Sequence, residues 1–286
     1  MLECDVLFFG LGPISHAFVK KLTANGQKVI AVSDTTAATE DNGINSFDLF
    51  QTISWFEVLK LEIKSQSTYI CWRHSPKNRT LGSELLLWVK SSNLKTHKIH
   101  HLSSGSVYRG DQSIFVETDY DYRNGDANFN SKRELEQLVS TISQLKGSKY
   151  VNYRISNVYG AGLTRGFIPE SIKHLNDDQP IRIYSKLDLI RDYLFIDDLI
   201  SALFNLRLHE CQDEVLNIST GHGVAISEVI NLLKRSIVKD LKVLDIEGPL
   251  GTLPRSVLSC KKLEETITWE PQPLDMTIGK LVRATD

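Results

Sequence analysis

The chain is predicted to fold as an α/β protein: a doubly wound parallel sheet with a smaller C-terminal lobe. Three observations predict this. Short apolar runs of strand type alternate with amphipathic stretches of helix type over the first 155 residues. The first strand–helix junction is a glycine-rich turn. Beyond about residue 160 the alternation gives way to shorter, mixed segments. Strands joined by helices need crossover connections, and right-handed crossovers produce a parallel sheet with helices on both faces.

Each element follows from its local pattern. Asp5 to Phe9 is a short apolar run stopping at Gly10, as expected of a strand buried on both faces. From Pro13 to Ala24, Ile14, Ala17, Phe18 and Leu22 recur at helical spacing, and Asn25-Gly26 ends the helix. Lys28 to Val32 is a second strand, ending at Asp34. Ser54 to Ile63 is predicted helical, Ser67 to Trp72 a strand, and Asn78 to Ser91 a helix with Leu81, Leu85, Leu86 and Val89 on one face. Lys98 to Leu102 is a strand, Lys132 to Leu145 a helix and Lys149 to Ile155 a strand. The later elements are helices at Ile168–Leu175, Asp197–Arg207, Ser227–Ile237 and Met276–Arg283, with strands at Ile181–Tyr184, Glu214–Ile218 and Leu241–Ile246. The expected division is 1–160, rejoined by about 191–222, for the main sheet, with 161–190 and 223–286 forming the smaller lobe.

Composition narrows the function classes. The 286 residues carry 33 Lys+Arg and 35 Asp+Glu, a net charge of −2, with 41% hydrophobic residues. A balance so near zero argues against a general nucleic-acid binder, which needs a basic field. No apolar run approaches the roughly 20 residues of a membrane span. Glu3 and Asp5 stand where a signal peptide carries Lys or Arg, so no secretion signal is expected. Cys4, Cys71, Cys211 and Cys260 are scattered without the short spacing of a metal or redox pair. They read as buried thiols of a cytoplasmic protein, with no metal.

Gly10-Leu11-Gly12-Pro13-Ile14-Ser15 has the form G-x-G-x-x-S after a strand and at the start of a helix. That context gives the pattern its meaning: Gly10 permits the tight turn, Gly12 lets backbone approach a pyrophosphate, and Ser15 is small enough for close helix–strand packing. The helix N-terminus offers free N–H groups to phosphate oxygens. Asp34 lies 19 residues after Ser15 at the end of the second strand, where a carboxylate accepts both ribose hydroxyls of NAD and repels the extra phosphate of NADP. Turn and acid together predict a Rossmann-type NAD site. The plain alternative is a glycine-rich turn followed by a solvated aspartate.

The segment Ser103-Ser104-Gly105-Ser106-Val107-Tyr108 resembles the S-S-x-x-V-Y-G stretch of the NAD-dependent epimerase/dehydratase family, the extended short-chain dehydrogenase/reductases acting on nucleotide sugars. Asn78 to Ser92 is similar to that family's N-x-x-G-T-x-N-L-L helix, and Arg154 to Gly160 to its R-x-x-N-V-Y-G strand end. Arg191 to Leu199 is similar to R-D-Y-x-x-V-D-D-L, Asn217 to Gly221 to N-I-G-T-G, and Trp269-Glu270-Pro271 to the late G-W-x-P. The matches run in family order over nearly the whole chain.

The resemblance implies a hydride-transfer site in which a Ser or Thr, a Tyr, and a Lys four residues after the Tyr act together. Ser104 matches the Ser, and Lys132 matches the Lys, which also serves the cofactor. The Tyr position is Asn128. A carboxamide does not cycle a proton near neutral pH as a phenol does. Three readings stay open: the protein binds without turnover; Tyr108, Tyr120 or Tyr122 replaces the phenol; or the reaction needs less proton transfer. A second departure is Trp72-Arg73-His74, where the family places small residues beside the cofactor. These bulky groups either narrow the cofactor cleft or turn outward.

On the substrate side, Arg191 and Arg255 match arginines that pair with the diphosphate of a nucleoside-diphosphate sugar, and Asn157 matches a residue near its phosphates or sugar. Guanidinium forks suit phosphate because they bind it bidentately. The plain alternative is a surface ion pair, since Arg191 adjoins Asp192 and lies near Asp197 and Asp198. The resemblance further implies a homodimer through the helices at 78–91 and 132–145. Two functions are weighed: an NAD-linked epimerase, dehydratase or 4-keto reductase of nucleotide sugars, or a catalytically reduced relative that binds NAD or nucleotide sugar as a sensor or partner subunit. A reductase of another small carbonyl compound is a weaker third.

Overall fold

The computed structural model describes residues 1–32, 49–58, 60–71, 93–119, 127–183, 189–210, 215–236, 241–246 and 253–283. The chain divides into two compact units. The first takes in Met1–Val107, Arg123–Arg154 and Leu203–Leu216, and the second Tyr108–Tyr122, Ile155–Ala202 and Asn217–Asp286.

The first unit is built on strands β1 (Leu2–Phe9), β2 (Val29–Val32), β3 (Phe50–Ile53), β4 (Ile63–Ile70), β5 (Leu94–Ser104) and β6 (Lys149–Ile155); β10 (Val215–Ile218) begins in it and passes into the second at Asn217. They form one sheet in the order β10-β6-β5-β4-β1-β2-β3. β1 pairs in parallel with β2 and β4, β2 with β3, and β4 with β5. The order runs outward from β1 in both directions, so the doubly wound expectation holds and the winding reverses beside β1. Helix α1 (Pro13–Ala24) follows β1, α2 (Trp55–Val58) is a single turn, and α3 (Ala127–Lys146) follows β5.

Val29 to Val32 are all buried, as is the end of β1 from Val6 to Phe9. Phe8, Tyr69, His100 and Tyr153 lie side by side across four strands. Their ring centroids are 5.2, 4.3 and 5.7 Å apart and all four side chains are fully buried. Phe18 of α1 meets this row edge-on, 5.9 Å from Phe8 and 5.1 Å from Tyr69.

Two expectations differ from the structure. Ser54 to Ile63 is not a helix: it contains only the turn α2, and β4 begins at Ile63 rather than Ser67. The run Ile63 to Thr68 has no apolar stretch to mark it, but Ile63, Ser65 and Thr68 are buried and the run pairs with β1 and β5 on both sides. Tertiary pairing outweighs composition there. β3 was likewise illegible, being four residues with Gln51 and Thr52 at its centre.

The second unit contains β7 (Asn157–Tyr159), α4 (Phe167–Asn176), β8 (Ile181–Ile183), β9 (Ile190–Phe195) and α5 (Ile196–Leu206), which runs into the first unit. It continues with β11 (Gly223–Ala225), α6 (Ile226–Ser236), β12 (Val243–Asp245), β13 (Arg255–Ser256), α7 (Lys261–Thr266) and α8 (Leu274–Arg283). β9 is its central strand, pairing with β7, β11 and β13. The charged start of this strand hid it in the sequence. Asp192 is fully buried there because Thr220 donates to it from both N (3.1 Å) and Oγ1 (2.8 Å), and Gly221 N donates at 3.1 Å. These bonds hold the turn after β10 and satisfy a carboxylate that burial alone disfavours.

Candidate functional site

The phosphate-type turn stands at the carboxyl end of β1, where the winding of the sheet reverses. Gly10 has φ +90°, a left-handed conformation that only glycine adopts freely. A Cβ built on Gly12 meets nothing within 4 Å among the described residues, which leave space beside this backbone. The first intrahelical bond is His16 N to Gly12 O, 2.8 Å, which leaves the Ile14 and Ser15 N–H groups ahead of the helical ladder. Ser15 is almost fully buried. Its hydroxyl accepts from Gly12 N at 2.7 Å and donates to Gly12 O at 3.0 Å. Serine in place of a third glycine therefore closes the turn as well as packing into it. The Cys71 thiol lies within hydrogen-bonding reach of Ser15, and burial pushes its pKa up, so it stays protonated. Open backbone, a left-handed glycine and a helix N-terminus fit a pyrophosphate. Asp34 and the stretch Trp72-Arg73-His74 lie outside the described residues.

The second group sits where β5 ends. Ser104 is half-buried, and its hydroxyl accepts from Ser106 N at 3.2 Å, capping the 3-10 turn Gly105–Val107. Helix α3 packs on β5 and on this turn. Position 128 opens α3, and Lys132 lies half-buried one turn further on.

Tyr108, one of the three tyrosines weighed above, is held in the interior. It is 1% exposed, stacks on Phe115 at 5.1 Å, and donates to Asn217 Oδ1 at 2.7 Å. Its hydroxyl belongs to a structural hub. Tyr120 and Tyr122 lie outside the described residues.

One cluster beneath this group was not foreseen. Glu136, on α3 four residues after Lys132, is 7% exposed. Its Oε1 accepts from Ser103 Oγ at 2.5 Å and from Arg154 Nε at 3.1 Å, and its Oε2 from Arg154 Nη2 at 2.9 Å. His101, on the same face of β5 as Ser103, shares a 2.7 Å bond between Nδ1 and Asn152 Oδ1, and it feels the charges of both Glu136 and Lys132. A carboxylate at i+4 from a lysine, on a helix face otherwise buried through Leu135 and Val139, was the available signal.

The third group belongs to the second unit. Arg191 donates to Ile190 O from Nη1 at 2.8 Å and to Leu253 O from Nη2 at 2.8 Å. Among the described residues it makes no ion pair: Asp192 is satisfied by Thr220 and Gly221, and Asp198 accepts from Gln272. Among the described residues Arg191 is thus held by backbone carbonyls rather than by Asp192 or Asp198. Arg255 donates from Nε to Ser113 O at 2.6 Å, and its Nη2 lies over Gly223, where a Cβ would come within 3.2 Å. Asn157 donates from Nδ2 to Asp192 O at 3.0 Å. Register pairs Asn157 with Tyr193, Arg191 with Val224 and Ser256, and Arg255 with Ile190. Strand alternation therefore brings Asn157 and Arg191 to one face and roots Arg255 on the other.

The sheet order and the glycine turn at its point of reversal define a Rossmann-type α/β protein. Comparison with known proteins narrows this. The profile of the NAD dependent epimerase/dehydratase family matches residues 10–219, and the chain belongs to that family. It is 28% identical over 160 residues to the dTDP-4-dehydro-6-deoxyglucose reductase of Escherichia coli, a match covering 54% of this chain and 50% of that protein. It is 24% identical over 295 residues to a putative UDP-glucose 4-epimerase of Methanocaldococcus jannaschii, covering 94% of this chain and 93% of that one. Among solved structures, UDP-glucuronic acid 4-epimerase from Bacillus cereus, in complex with UDP-glucuronic acid and NAD, superposes with a TM-score of 0.82 over 99% of both chains at 20% identity. Among the described residues no helix is long and apolar enough to cross a membrane, and no group of His, Cys, Asp and Glu is arranged to hold a metal ion.

Proposed function

We propose that this protein is an NAD-dependent enzyme acting on a nucleoside-diphosphate sugar as an epimerase, dehydratase or reductase, with an atypical catalytic set. The geometry of the first turn supports this reading: a left-handed Gly10, no described atom within 4 Å of a Cβ at Gly12, and a helix N-terminus whose i→i−4 ladder begins at His16 N. Gly10, Gly12 and Ser15 would hold the pyrophosphate of NAD, with Asp34 at its ribose and Lys132 at its nicotinamide end. NAD, when bound, supplies hydride acceptance or donation. Ser104 would orient the reacting hydroxyl or carbonyl. Arg191, a half-buried cation bonded only to backbone carbonyls among the described residues, has the chemistry to take a diphosphate, with Asn157 on the same sheet face; Arg255, rooted on the opposite face, enters this proposal through the family resemblance.

Asn128 in the position of the family's Tyr is part of this proposal. It donates a hydrogen bond but moves no proton, so turnover is slow relative to a phenol-bearing relative, on the order of 10²–10⁴-fold. The occupation of Tyr108 by Asn217 favours a second reading, binding of NAD or nucleotide sugar without turnover. A cytoplasmic homodimer accompanies either reading. Its support is the helix resemblance and the scattered thiols, of which Cys4 is buried with its pKa pushed up to about 12.

The test is to denature purified protein, assay the supernatant for NAD(H), and then assay turnover of UDP-, GDP- and dTDP-sugars. Released NAD with turnover supports the enzyme. Nucleotide binding without turnover, with activity appearing in Asn128→Tyr, supports the binder. Absence of binding to either nucleotide overturns both.

A further inference from the structure

We propose that Glu136 is a positioning residue: through Ser103 and Arg154 it locks the end of β5 to helix α3, and so sets Ser104 against the helix stripe that carries positions 128 and 132. This rests on the reading that Ser104 and Lys132 form part of a cofactor site.

Three elements meet at one carboxylate. Ser103 comes from β5, Arg154 from β6 and Glu136 from α3, and all three are less than a tenth exposed. Positions 128, 132 and 136 follow one another at i, i+4 and i+8 and share a helix face. The carboxylate therefore anchors the stripe two turns below its first member. Ser103 adjoins Ser104, so the 2.5 Å bond fixes the last residues of the strand at the point where the 3-10 turn begins.

Energetics favours a geometric role over a merely stabilising one. A buried ion pair recovers in Coulomb attraction little more than it loses in desolvation, and well-packed apolar residues often serve stability equally well. A dense apolar core already lies on the same face, through Leu7, Ile99, Val139 and Ile142. What the Glu136 hub adds is direction. Guanidinium and hydroxyl approach the carboxylate at hydrogen-bond geometry, which forbids the sliding that apolar side chains permit.

The decisive variant is Ser103→Ala, because it cuts the link to β5 while leaving Arg154 and Glu136 paired. Amide exchange followed by mass spectrometry should show residues 104–107 exchanging about tenfold faster, with β1 unchanged. NAD affinity should fall about tenfold while the melting temperature moves by only a few degrees. Ser103→Thr, which keeps the hydroxyl, should restore both. A second variant, Glu136→Met with Arg154→Met, removes both charges together and should loosen the same residues while remaining folded. The proposal is overturned if exchange at 104–107 is unchanged in both variants, or if it rises equally throughout the molecule. If the unaltered protein binds no NAD, the functional reading falls, and the exchange pattern alone decides whether Glu136 positions the strand end.

Discussion

The hydroxyl of Tyr108 donates to Oδ1 of Asn217 across 2.7 Å, with both side chains buried. Asn217 in turn donates from Nδ2 to Phe115 O at 3.2 Å, and its backbone N donates to Glu117 Oε1 at 3.0 Å. The tyrosine nearest in sequence to Ser104 is thus spent on fastening the segment that follows the strand end. Tyr108→Phe leaves the Asn217 oxygen without this donor and should cost about 1–3 kcal/mol. Thermal denaturation should show the loss, while turnover per folded molecule stays the same. A selective loss of turnover at unchanged stability would return Tyr108 to the catalytic candidates.

Gly12→Ala separates binding from folding. The added methyl meets no atom of the described residues within 4 Å, so the melting temperature should hold. The same methyl occupies the side from which a pyrophosphate approaches the turn, and NAD affinity should fall at least about tenfold. Calorimetric titration of NAD into both proteins measures it, and equal affinities would remove the turn from the site.

Arg154→Met alone should be far more damaging than the paired replacement. It strands Glu136, at 7% exposure, without its cation, for which about 3–5 kcal/mol is typical. Urea midpoints for the single and double variants compare the two cases. Equal losses would show that the pair is not coupled.

Stability should fall on mild acidification. Burial holds the pKa of His100 well below its ordinary value, helped by the charge of Lys98. His101 is also lowered by burial, with Lys132 acting in the same sense and Asn152 and Glu136 against it. Both rings therefore take up a proton less readily when folded, His100 most strongly, while the unfolded chain binds protons below about pH 6.5. Their contribution is complete above that pH and is lost as pH drops through it. Urea midpoints at pH 7.5 and 5.5 should differ accordingly, and His100→Phe, which keeps the ring stack with Tyr69, should flatten the difference. An unchanged slope would mean that His100 does not titrate on unfolding.

Much of the fold was legible because its signals are local. The runs at Val29–Val32 and Lys149–Ile155 declare themselves as strands, and α1 shows its periodicity and its terminating Asn25-Gly26 within a dozen residues. Gly10, Gly12 and Ser15 stand out from the spacing of the glycine turn, whereas Ser104, Lys132, Asn157, Arg191 and Arg255 stand out only through the family resemblance; both record chemistry but not surroundings. The start of β4 is hidden in the sequence because Lys64, Ser65, Gln66 and Ser67 look polar until strands on both sides claim them.

The amino-acid order alone determined the alternation of strand and helix, the glycine turn, and the absence of a tyrosine four residues before Lys132, since each depends only on neighbours along the chain. Tertiary structure decided the rest. It joined Ser103, Glu136 and Arg154, which are 33 and 18 residues apart, gave Tyr108 to Asn217 109 residues away, and sent Arg191 to backbone carbonyls rather than to the adjacent aspartates. Those outcomes follow from strand register and from the need of every buried polar group for a partner, and neither can be computed until the chain has closed on itself.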